Sequence, residues 1–412
     1  MLNFADGYSS IQDGNLSGPQ AGQDSNGVSK DEVPPDDLLP VKGALTTTLL
    51  SNSRLTPEKH WQDVRHLTFS FSTPISYAPG DVLTIYPKNF PSDVSHFITL
   101  MNWDSIADTP LHFVPTQPIT GPEYPPPPLS NLPTTYTLTL RTLLTNHLDI
   151  MSIPRRSFFA HLAHFTDDPF HRDRLLEFTN PEYIDELYDY TTRPRRSILE
   201  VLQEFESVKI PWQQVCSVIP FMRGRQFSIA SGGSLKTVRD LREGEEEKGM
   251  KETRVELLIA IVKYKTVIKR IRQGVATRYI ASLQSGQQLN VTLSKGGLHV
   301  KRADLDKPVV MVGPGTGIAP MRAMVYERLA WKAENQERLK GDILFFGCRN
   351  EDADYFFREE WKKLEEEEGL SVIAAFSRDQ RQKVYVQDLI RKHAAEVYEA
   401  LGKKNGMVYI CG

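Results

Sequence analysis

A glycine-rich segment, Gly313-Pro-Gly-Thr-Gly-Ile-Ala-Pro320, follows an apolar run and precedes a helical pattern. Glycines let backbone N–H groups approach an anion closely, and the start of a helix favours negative charge. We therefore interpret the segment as a phosphate-binding loop. It matches neither common fingerprint, because its third glycine comes one residue early for GxGxxG and no Lys-Ser/Thr pair follows for a Walker loop. A tight strand-to-helix turn without a ligand is the alternative for the glycines alone.

Basic and hydroxyl side chains further along the chain indicate which phosphate is bound. Ser377 and Arg378 follow a predicted strand, and Lys383 and Tyr385 lie near the start of the next predicted helix. Sites that select NADP bind its 2′-phosphate with cations and hydroxyls, whereas NAD sites place a carboxylate there. These four residues therefore favour NADP, and a solvated basic helix start is the alternative.

Two earlier segments carry groups that suit a flavin nucleotide. In Arg225-Gln-Phe-Ser228 the arginine can clamp a phosphate, and Phe227, on the same strand face, can stack on a flavin ring. Ser228 can hydrogen-bond a flavin nitrogen. Gly274-Val-Ala-Thr277, after a strand that ends at Tyr264, is a glycine-led turn into a helix and suits a pyrophosphate. The first tetrapeptide alone would also match any amphipathic strand.

The elements that position these segments follow from the hydrophobic pattern. Alternating polar and apolar residues predict strands of a β-barrel or sandwich at 65–71, 81–86, 225–231 and 255–266. A helical pattern from about residue 92 to 219, broken by prolines at 125–128, interrupts that barrel. Later strands at 308–312, 342–346, 371–376 and 407–410 alternate with helices from about 320, at 354–368 and at 384–401. This alternation predicts a doubly wound α/β domain with a parallel sheet.

Composition excludes several classes of protein. The chain has 412 residues and a net charge of −3, which argues against nucleic acid as the main partner. Three scattered cysteines give no disulfide framework, and ten histidines show no zinc spacing such as HExxH. We assign Cys216 and Cys348 to packing, and we expect no metal. No apolar run approaches the ~18 residues of a membrane span and no secretory signal is visible. A soluble, intracellular protein is the expectation.

Taken in order, the motifs resemble those of the ferredoxin–NADP reductase-like superfamily. Residues 225–231 match its R-x-[YF]-S-x-x-S segment, residues 274–277 its GV[AC]T segment, and residues 313–320 its G-x-G-T-G-I-A-P loop. Phe376-Ser-Arg-Asp-Gln380 with Lys383-Val-Tyr-Val-Gln387 is similar to the NADPH ribose-phosphate segment of the diflavin reductases. The helical insertion also fits the connecting domain of that branch, and the resemblance covers about residues 41–412.

The resemblance implies both the domains and the site residues. It implies an FAD-binding β-barrel at 41–91 and 220–303, a helical connecting insertion at 92–219, and an NADP-binding domain at 304–412. The Gly-, Ser- and Asp-rich composition of residues 1–40 predicts a disordered acidic linker there. A charged hairpin loop is expected at 242–254. The implied FAD contacts are Arg195, Arg225, Gln226, Phe227, Ser228, Tyr264, Gly274, Val275, Ala276 and Thr277. The implied NADP contacts are Thr316, Ser377, Arg378, Lys383, Val384, Tyr385, Val386 and Gln387, with Arg65 as a further nicotinamide-nucleotide contact.

The implied reaction is hydride transfer from NADPH to FAD, with Ser228 hydrogen-bonded near the flavin N5 and Cys411 beside the nicotinamide. Local features, among them Arg193-Pro-Arg-Arg196 and Phe227, are most similar to the diflavin reductases of cytosolic iron–sulfur assembly. That branch implies FMN in the full-length protein, an iron–sulfur assembly protein as electron acceptor, and the cytoplasm, with mitochondria as a second location. Cytochrome, sulfite or methionine-synthase reductases are alternatives, as is a catalytically weakened FAD-binding and docking module.

Two parts of the family pattern have no counterpart in the sequence. The family continues after its Cys-Gly with an acidic residue, a helix and a terminal aromatic, and it begins with an FMN domain that carries a T-x-T-G loop. Here the sequence ends at Cys411-Gly412 and contains no such loop. We therefore expect a fragment of a diflavin reductase, cut at both ends.

Overall fold

The computed structural model describes residues 33–111, 129, 132–133, 136–237, 252–266 and 270–412. Three predicted segments lie wholly or mostly outside these residues. They are the linker at 1–40, the proline cluster at 125–128 and the charged loop at 242–254.

The described residues form strands and helices in the predicted order. The strands are β1 Leu45–Arg54, β2 Val64–Phe71, β3 Val82–Ile85, β4 Arg225–Ser228, β5 Thr253–Ala260, β6 Lys263–Lys265, β7 Ile271–Gln273, β8 Gln288–Ser294, β9 Val309–Pro314, β10 Ile343–Cys348, β11 Ser371–Phe376 and β12 Met407–Ile410. The helices are α1 Pro91–Leu100, α2 Leu140–Asn146, α3 Arg156–Leu162, α4 Pro169–Glu177, α5 Ile184–Leu187, α6 Ile198–Glu204, α7 Val215–Val218, α8 Val275–Ser282, α9 Ile318–Ala333, α10 Glu351–Asp354, α11 Arg358–Glu368, α12 Val386–Lys392 and α13 Ala394–Tyr398.

Six strands form an antiparallel sheet in the order β4-β3-β8-β1-β2-β5. An isolated bridge between Ile229, just after β4, and Leu257 of β5 brings the two edges together, so the sheet is a nearly closed barrel. Along β2 the side chains of Leu67, Phe69 and Phe71 are buried, as the alternating pattern predicts. The barrel prediction is confirmed.

Four strands form a parallel sheet in the order β11-β10-β9-β12. β10 lies between β9 and β11, and Phe345 and Phe346 on its two faces are both fully buried. Because the chain runs outward from β9 to β11 and then returns to place β12 on the other side of β9, the strand order reverses at β9. The loop that follows a strand at such a reversal point is where doubly wound folds bind nucleotides.

The chain divides into two compact units, which we describe separately. The helical unit comprises the residues up to Lys42, Tyr86–Gly224 and Lys263–Ser282, and the sheet unit comprises Gly43–Ile85, Arg225–Val262 and Leu283–Gly412. The helical unit has its own core, in which Phe97, Trp103 and Phe159 are fully buried. The sheet unit holds both sheets and a core shared by barrel and α/β residues, such as Leu258 and Met311. The predicted domain boundaries stay a prediction.

Two predicted helices differ in extent from those observed. The predicted helix 384–401 is two helices, α12 and α13, because His393 between them leaves helical geometry at φ −99° and ψ 25°. The predicted helix 354–368 begins at Arg358, because Phe357 before it adopts a left-handed φ of 61°. No helix that the structure describes is both long and apolar enough to cross a membrane.

Candidate cofactor site

A cavity of about 160 Å³ opens in the helical unit beside the start of α8. It is bordered by the residues before and within α1, the segment before α6, strand β7 and the first turns of α8. The lining residues are Asn89, Phe90, Asp93, Met151, Arg195, Ser197, Ile271, Arg272, Gln273, Val275 and Arg278. The cavity therefore brings Arg195, predicted from one part of the sequence, together with Val275 of the Gly274–Thr277 turn.

Two of the three arginines in this cavity are held by carboxylates. Arg272 donates to both oxygens of Glu200 at 2.7 Å and to the Pro194 carbonyl at 2.9 Å. Arg278 donates to Asp93 at 2.7 Å and stacks 3.6 Å above the Phe90 ring. These contacts fix the two guanidinium groups in place before any ligand arrives, which lowers the ordering cost of binding.

Glu200 is itself fixed in the first turn of α6. It forms a capping box with Ser197 at the start of α6, accepting a hydrogen bond from the Ser197 N–H at 2.9 Å. Burial alone would raise the pKa of Glu200, but the hydrogen bonds from Arg272 and from the Ser197 backbone outweigh burial and lower it. The carboxylate is therefore charged at neutral pH and holds Arg272 permanently.

The cavity has the charge and the hydrogen-bond donors to bind a diphosphate. The Nη2 atom of Arg272 is buried and has no hydrogen-bond partner in the described part of the chain. Arg195 reaches the same cavity from a left-handed backbone with φ 53°. The first helical bond of α8 runs from the Arg278 N–H to the Gly274 carbonyl, so Val275 and Ala276 lie at the helix start, where backbone N–H groups favour an anion. Two arginines and a helix start fit a diphosphate.

Tyr264, a predicted FAD contact, lies on the ribbon that leads into this turn. It sits on β6 directly opposite Arg272 of β7, and its side chain is exposed. Ala276 and Thr277 are buried on α8, where the Thr277 hydroxyl donates to the Gly274 carbonyl at 3.3 Å. The glycine-led turn into a helix is thus present as predicted.

The Arg225–Ser228 segment is strand β4 of the sheet unit. It pairs with β3, with Arg225 opposite Ile85 and Phe227 opposite Leu83, so these two side chains share one face. The side chains of Phe227 and Ser228 are partly exposed and that of Gln226 is exposed. The Ser228 hydroxyl has no hydrogen-bond partner among the residues described. Their roles as flavin contacts stay predictions.

Two of the three glycines in the 313–317 loop are required for different physical reasons. Gly315 has a left-handed φ of 58°, and a Cβ there would meet nothing within 4 Å, so its backbone is open to a ligand. Gly317 instead lies against the end of β12, where a Cβ would come within 2.0 Å of the Cys411 carbonyl oxygen. Thr316, between them, is partly exposed in a 3₁₀ turn before α9.

The backbone of Cys411 therefore lies beside the glycine loop. Its N–H donates to the Val312 carbonyl at 3.0 Å, and its side chain packs on the core of the sheet unit. Burial raises the pKa of the Cys411 thiol, so the group is a neutral thiol at pH 7. Burial also raises the pKa of Cys216, to about 11, and that of Cys348. The catalytic role of Cys411 stays a prediction.

The predicted ribose-phosphate residues lie at the carboxyl ends of β10 and β11. Ser377 is buried and its N–H donates to the Cys348 carbonyl at 3.0 Å, while the Arg378 N–H donates to the Arg349 carbonyl at 2.8 Å. The side chains of Arg378 and Lys383 are exposed and have no ion-pair partner among the described residues. These two cations are therefore available to a phosphate.

The other residues of this segment lead into α12. Tyr385 is its N-cap, and its backbone N–H donates to the Asp388 side chain at 3.0 Å in a capping box. Val386 packs against Gly347 of β10, where a Cβ would approach the valine methyl within 2.8 Å. Val384 is partly exposed and Gln387 is exposed. The segment is thereby held beside the glycine loop, because Gly347 pairs with Pro314 of β9.

Sequence reasoning missed several residues of the first cavity. Arg272, Arg278, Asp93 and Phe90 were not predicted. One signal was present, since Arg278 directly follows the Gly274–Thr277 motif. Asp93 and Phe90 come from a helix about 180 positions earlier and carried no signal. No cluster of three or more potential metal ligands occurs among the described residues.

The fold and the sites define the class of protein. Residues 41–279 match the FAD binding domain family, and residues 311–412 match the oxidoreductase NAD-binding domain family. The chain belongs to the FAD-binding domain family, and it carries an NAD-binding oxidoreductase domain after the FAD-binding domain.

Its relatives include proteins named NADPH-dependent diflavin oxidoreductase 1. The one from Emericella nidulans is 49% identical over 95% of this chain and 62% of its own length. That from Aspergillus fumigatus is 50% identical over 91% of this chain and 57% of its own length. That from Saccharomyces cerevisiae is 37% identical over 88% of this chain and 55% of its own length. The predicted resemblance is confirmed, and the chain spans about three fifths of the length of these relatives.

Proposed function

We propose that this chain is the FAD- and NADPH-binding part of a flavoprotein reductase, in which hydride passes from NADPH to FAD. The observation that carries the proposal is the pairing in one chain of two different phosphate sites. One is a cavity with arginines already held by carboxylates, which suits a resident nucleotide. The other is an open loop with exposed cations, which suits a nucleotide that exchanges.

In this reaction the protein binds and aligns the two nucleotides and keeps charge away from the nicotinamide ring. Bound FAD supplies a ring nitrogen that accepts hydride. The helical-unit cavity would hold the FAD phosphates. In the sheet unit, Arg225 is the predicted phosphate clamp, and the Ser228 hydroxyl, which has no hydrogen-bond partner among the described residues, would hydrogen-bond the flavin. Thr316 and the open backbone at Gly315 would contact the NADPH pyrophosphate.

The backbone of Cys411 lies beside the same glycine loop and its thiol is neutral, so this residue introduces no charge near the nicotinamide ring. A thiolate there would favour positively charged nicotinamide over the neutral reduced form. A neutral, compact side chain lets the ring approach without biasing either form. Selection of NADPH over NADH would come from Arg378 and Lys383.

The acceptor is a further proposal that rests on resemblance. The relatives' name includes two flavins, and we propose that the second is FMN, supplied by the part of the relatives that this chain does not span. Electrons would then pass through FMN to a protein of cytosolic iron–sulfur assembly. The same resemblance supports a cytoplasmic location.

Anaerobic titration tests the proposal. FAD-loaded protein is titrated with NADPH while flavin absorbance is followed near ~450 nm, a property of the cofactor. We expect bleaching to be complete at about one NADPH per FAD, because each hydride carries two electrons. Flavin that stays yellow in excess NADPH would contradict the proposal and would favour a docking module that holds FAD without reducing it.

A further inference from the structure

The helix that follows the glycine loop, α9, is attached to the barrel through one buried arginine. Arg322 is 2% exposed, and each of its three guanidinium nitrogens donates a hydrogen bond. Nη1 donates to Glu256 of β5 at 2.6 Å and to the Ala230 carbonyl at 3.0 Å. Nε and Nη2 donate to Glu360 of α11 at 2.7 and 3.0 Å. One side chain thus joins two barrel segments to two helices of the α/β part.

The surroundings of Arg322 reinforce this attachment. Glu256 also contacts His66 of β2 at 2.9 Å, and the guanidinium lies 4.3 Å from the Phe357 ring. Burial would raise the pKa of Glu256, but hydrogen bonding to His66 and the charge of Arg322 lower it. A bidentate arginine–carboxylate pair adds geometric specificity to the charge interaction. The contacts of Arg322 therefore fix the position of α9 as well as stabilising it.

A second contact between α9 and the barrel has no charge in it. Gly232 and Gly233 follow Ser231, the last residue of the Arg225–Ser231 motif. A Cβ on Gly232 would lie 2.0 Å from the Ala323 carbonyl oxygen, and one on Gly233 would lie 2.1 Å from the Tyr326 carbonyl oxygen. The backbones touch directly here, and the Gly233 N–H donates to Glu327 of α9 at 2.7 Å.

We call Arg322, Glu327, Gly232, Gly233 and Glu256 the α9 mount. It connects the segment that we predict to contact NADPH with the segment that we predict to contact the flavin. Thr316 lies at the loop that begins α9, two residues before the helix, and Ser228 lies four residues before Gly232. A shift of the mount would therefore change the separation between the nicotinamide loop and the flavin strand.

We infer that Arg322 is a positioning residue for hydride transfer, fixing the glycine loop of α9 against the barrel strand that carries Ser228. The inference rests on the proposed function. It assigns to Arg322 no contact with either nucleotide. Displacement of reacting groups by about 1 Å can slow a reaction ~100-fold. A buried network that prevents such a shift therefore has a large effect on the rate of hydride transfer.

The same helix offers a matched control. Arg328 is fully buried and donates to Asp342 at 2.8 and 3.0 Å and to the Lys307 carbonyl at 2.8 Å. All of these partners belong to the α/β part, so Arg328 has equal burial and similar bonding without reaching the barrel. A merely structural role for Arg322 predicts that both arginines behave alike when changed to lysine.

The test compares Arg322→Lys, Gly232→Ala and Arg328→Lys in the FAD-loaded full chain. Arg322→Lys keeps the charge and Gly232→Ala disturbs the same mount without touching a charge. We expect both to slow flavin reduction by saturating NADPH ~10–100-fold, with FAD content and NADP⁺ affinity within about threefold of the starting protein. Arg328→Lys should lower the melting temperature while reduction stays within about threefold.

Hydrogen exchange gives a readout that does not need catalysis. In FAD-loaded protein without nicotinamide, Arg322→Lys should speed exchange at residues 229–233 and at the start of α9, and Arg328→Lys should leave residues 229–233 unchanged. The inference is overturned if both mount variants reduce at the starting rate, or if Arg328→Lys slows reduction equally. If the starting protein itself is not reduced, the proposed function fails, and unchanged exchange at 229–233 in Arg322→Lys would overturn the mount as well.

Discussion

The two glycine-led turns of this chain, Gly274–Thr277 and Gly313–Gly317, look alike in sequence but lie in opposite electrostatic settings. Beside the first, Arg272 and Arg278 are each held by a carboxylate within 2.7 Å. Beside the second turn, Arg378 and Lys383 are exposed and have no ion-pair partner among the described residues. A glycine turn at a helix start therefore does not determine by itself how tightly a nucleotide is held.

The difference follows from what each site must do. A cavity whose cations are already oriented loses little freedom when a diphosphate binds, so it can retain FAD through many turnovers. Exposed cations must be ordered by the ligand, and solvent competes for them, so their phosphate can leave. This is the arrangement expected of a reductase that keeps one nucleotide and exchanges the other.

Removal of the predicted clamp on the retained nucleotide should have the largest effect. Arg225→Ala loses charge-assisted hydrogen bonds worth about 1.5–3 kcal/mol, so FAD affinity should fall ~10–100-fold and the protein should purify largely colourless. FAD per chain is measured by absorbance after purification. Arg223→Ala, an arginine two positions earlier, serves as the control. A fully yellow Arg225→Ala protein would count against the clamp.

Loss of one cation from the open site should affect NADPH alone. Arg378→Ala should weaken NADPH by about tenfold or more and leave NADH within about twofold, because only NADPH carries the 2′-phosphate. Binding is measured by titration of both nucleotides against the FAD-loaded protein. Arg381→Ala, an exposed arginine in the same loop, is the matched control. Equal losses for NADPH and NADH would remove the 2′-phosphate assignment.

The salt dependence of nucleotide affinity should distinguish the two sites without any mutation. Between about 50 and 500 mM NaCl, NADP⁺ affinity should fall several-fold, because exposed cations are screened over ~10 Å or less. FAD affinity should change by less than about twofold, because Arg272 and Arg278 are partly buried and already paired with carboxylates. Equilibrium titrations of both ligands at each salt concentration measure this. Parallel salt dependence for FAD and NADP⁺ would contradict the comparison.

A smaller effect should appear at acid pH in the helical unit. Burial lowers the pKa of His147 to about 4 from the usual 6.5, so the folded unit holds this histidine neutral. Its stabilising contribution is complete above pH 6.5 and is lost as pH falls toward about 4, by about 1 kcal/mol at about pH 5.5. His147→Gln, which keeps a partner for Tyr136, should flatten the loss of stability measured by denaturant unfolding. Identical pH slopes in both proteins would show that another group titrates.

Much of the scaffold was readable from the sequence, because it depends on local pattern. Ser371–Phe376 and Met407–Ile410 were predicted with the observed bounds, since short apolar runs between turn residues leave few alternatives. The break at His393 was not predicted, because no proline or glycine marks it. The late start of α11 was also missed. Phe357 takes a left-handed φ where its ring packs on Arg322 and His66, a tertiary cause that local propensity cannot show.

The sites were readable only where one short segment carries them. The glycine loop and the Ser377–Gln387 segment were identified because their residues are close in sequence. The arginine cavity was half predicted, because Arg195 and Val275 belong to motifs while Asp93 and Phe90 reach it from α1. The α9 mount was missed entirely, since Arg322 and Glu256 are separated by many residues and each alone is an ordinary charged side chain.

Co-retention of the two nucleotides tests the central claim most directly. The protein is loaded with saturating FAD and NADP⁺ and passed once through a desalting column, and the nucleotides that elute with the protein are released by denaturation and quantified. Preorganised and open sites predict about one FAD per chain and less than about one tenth NADP⁺. Equal retention of both nucleotides, or loss of FAD with retention of NADP⁺, would contradict the account.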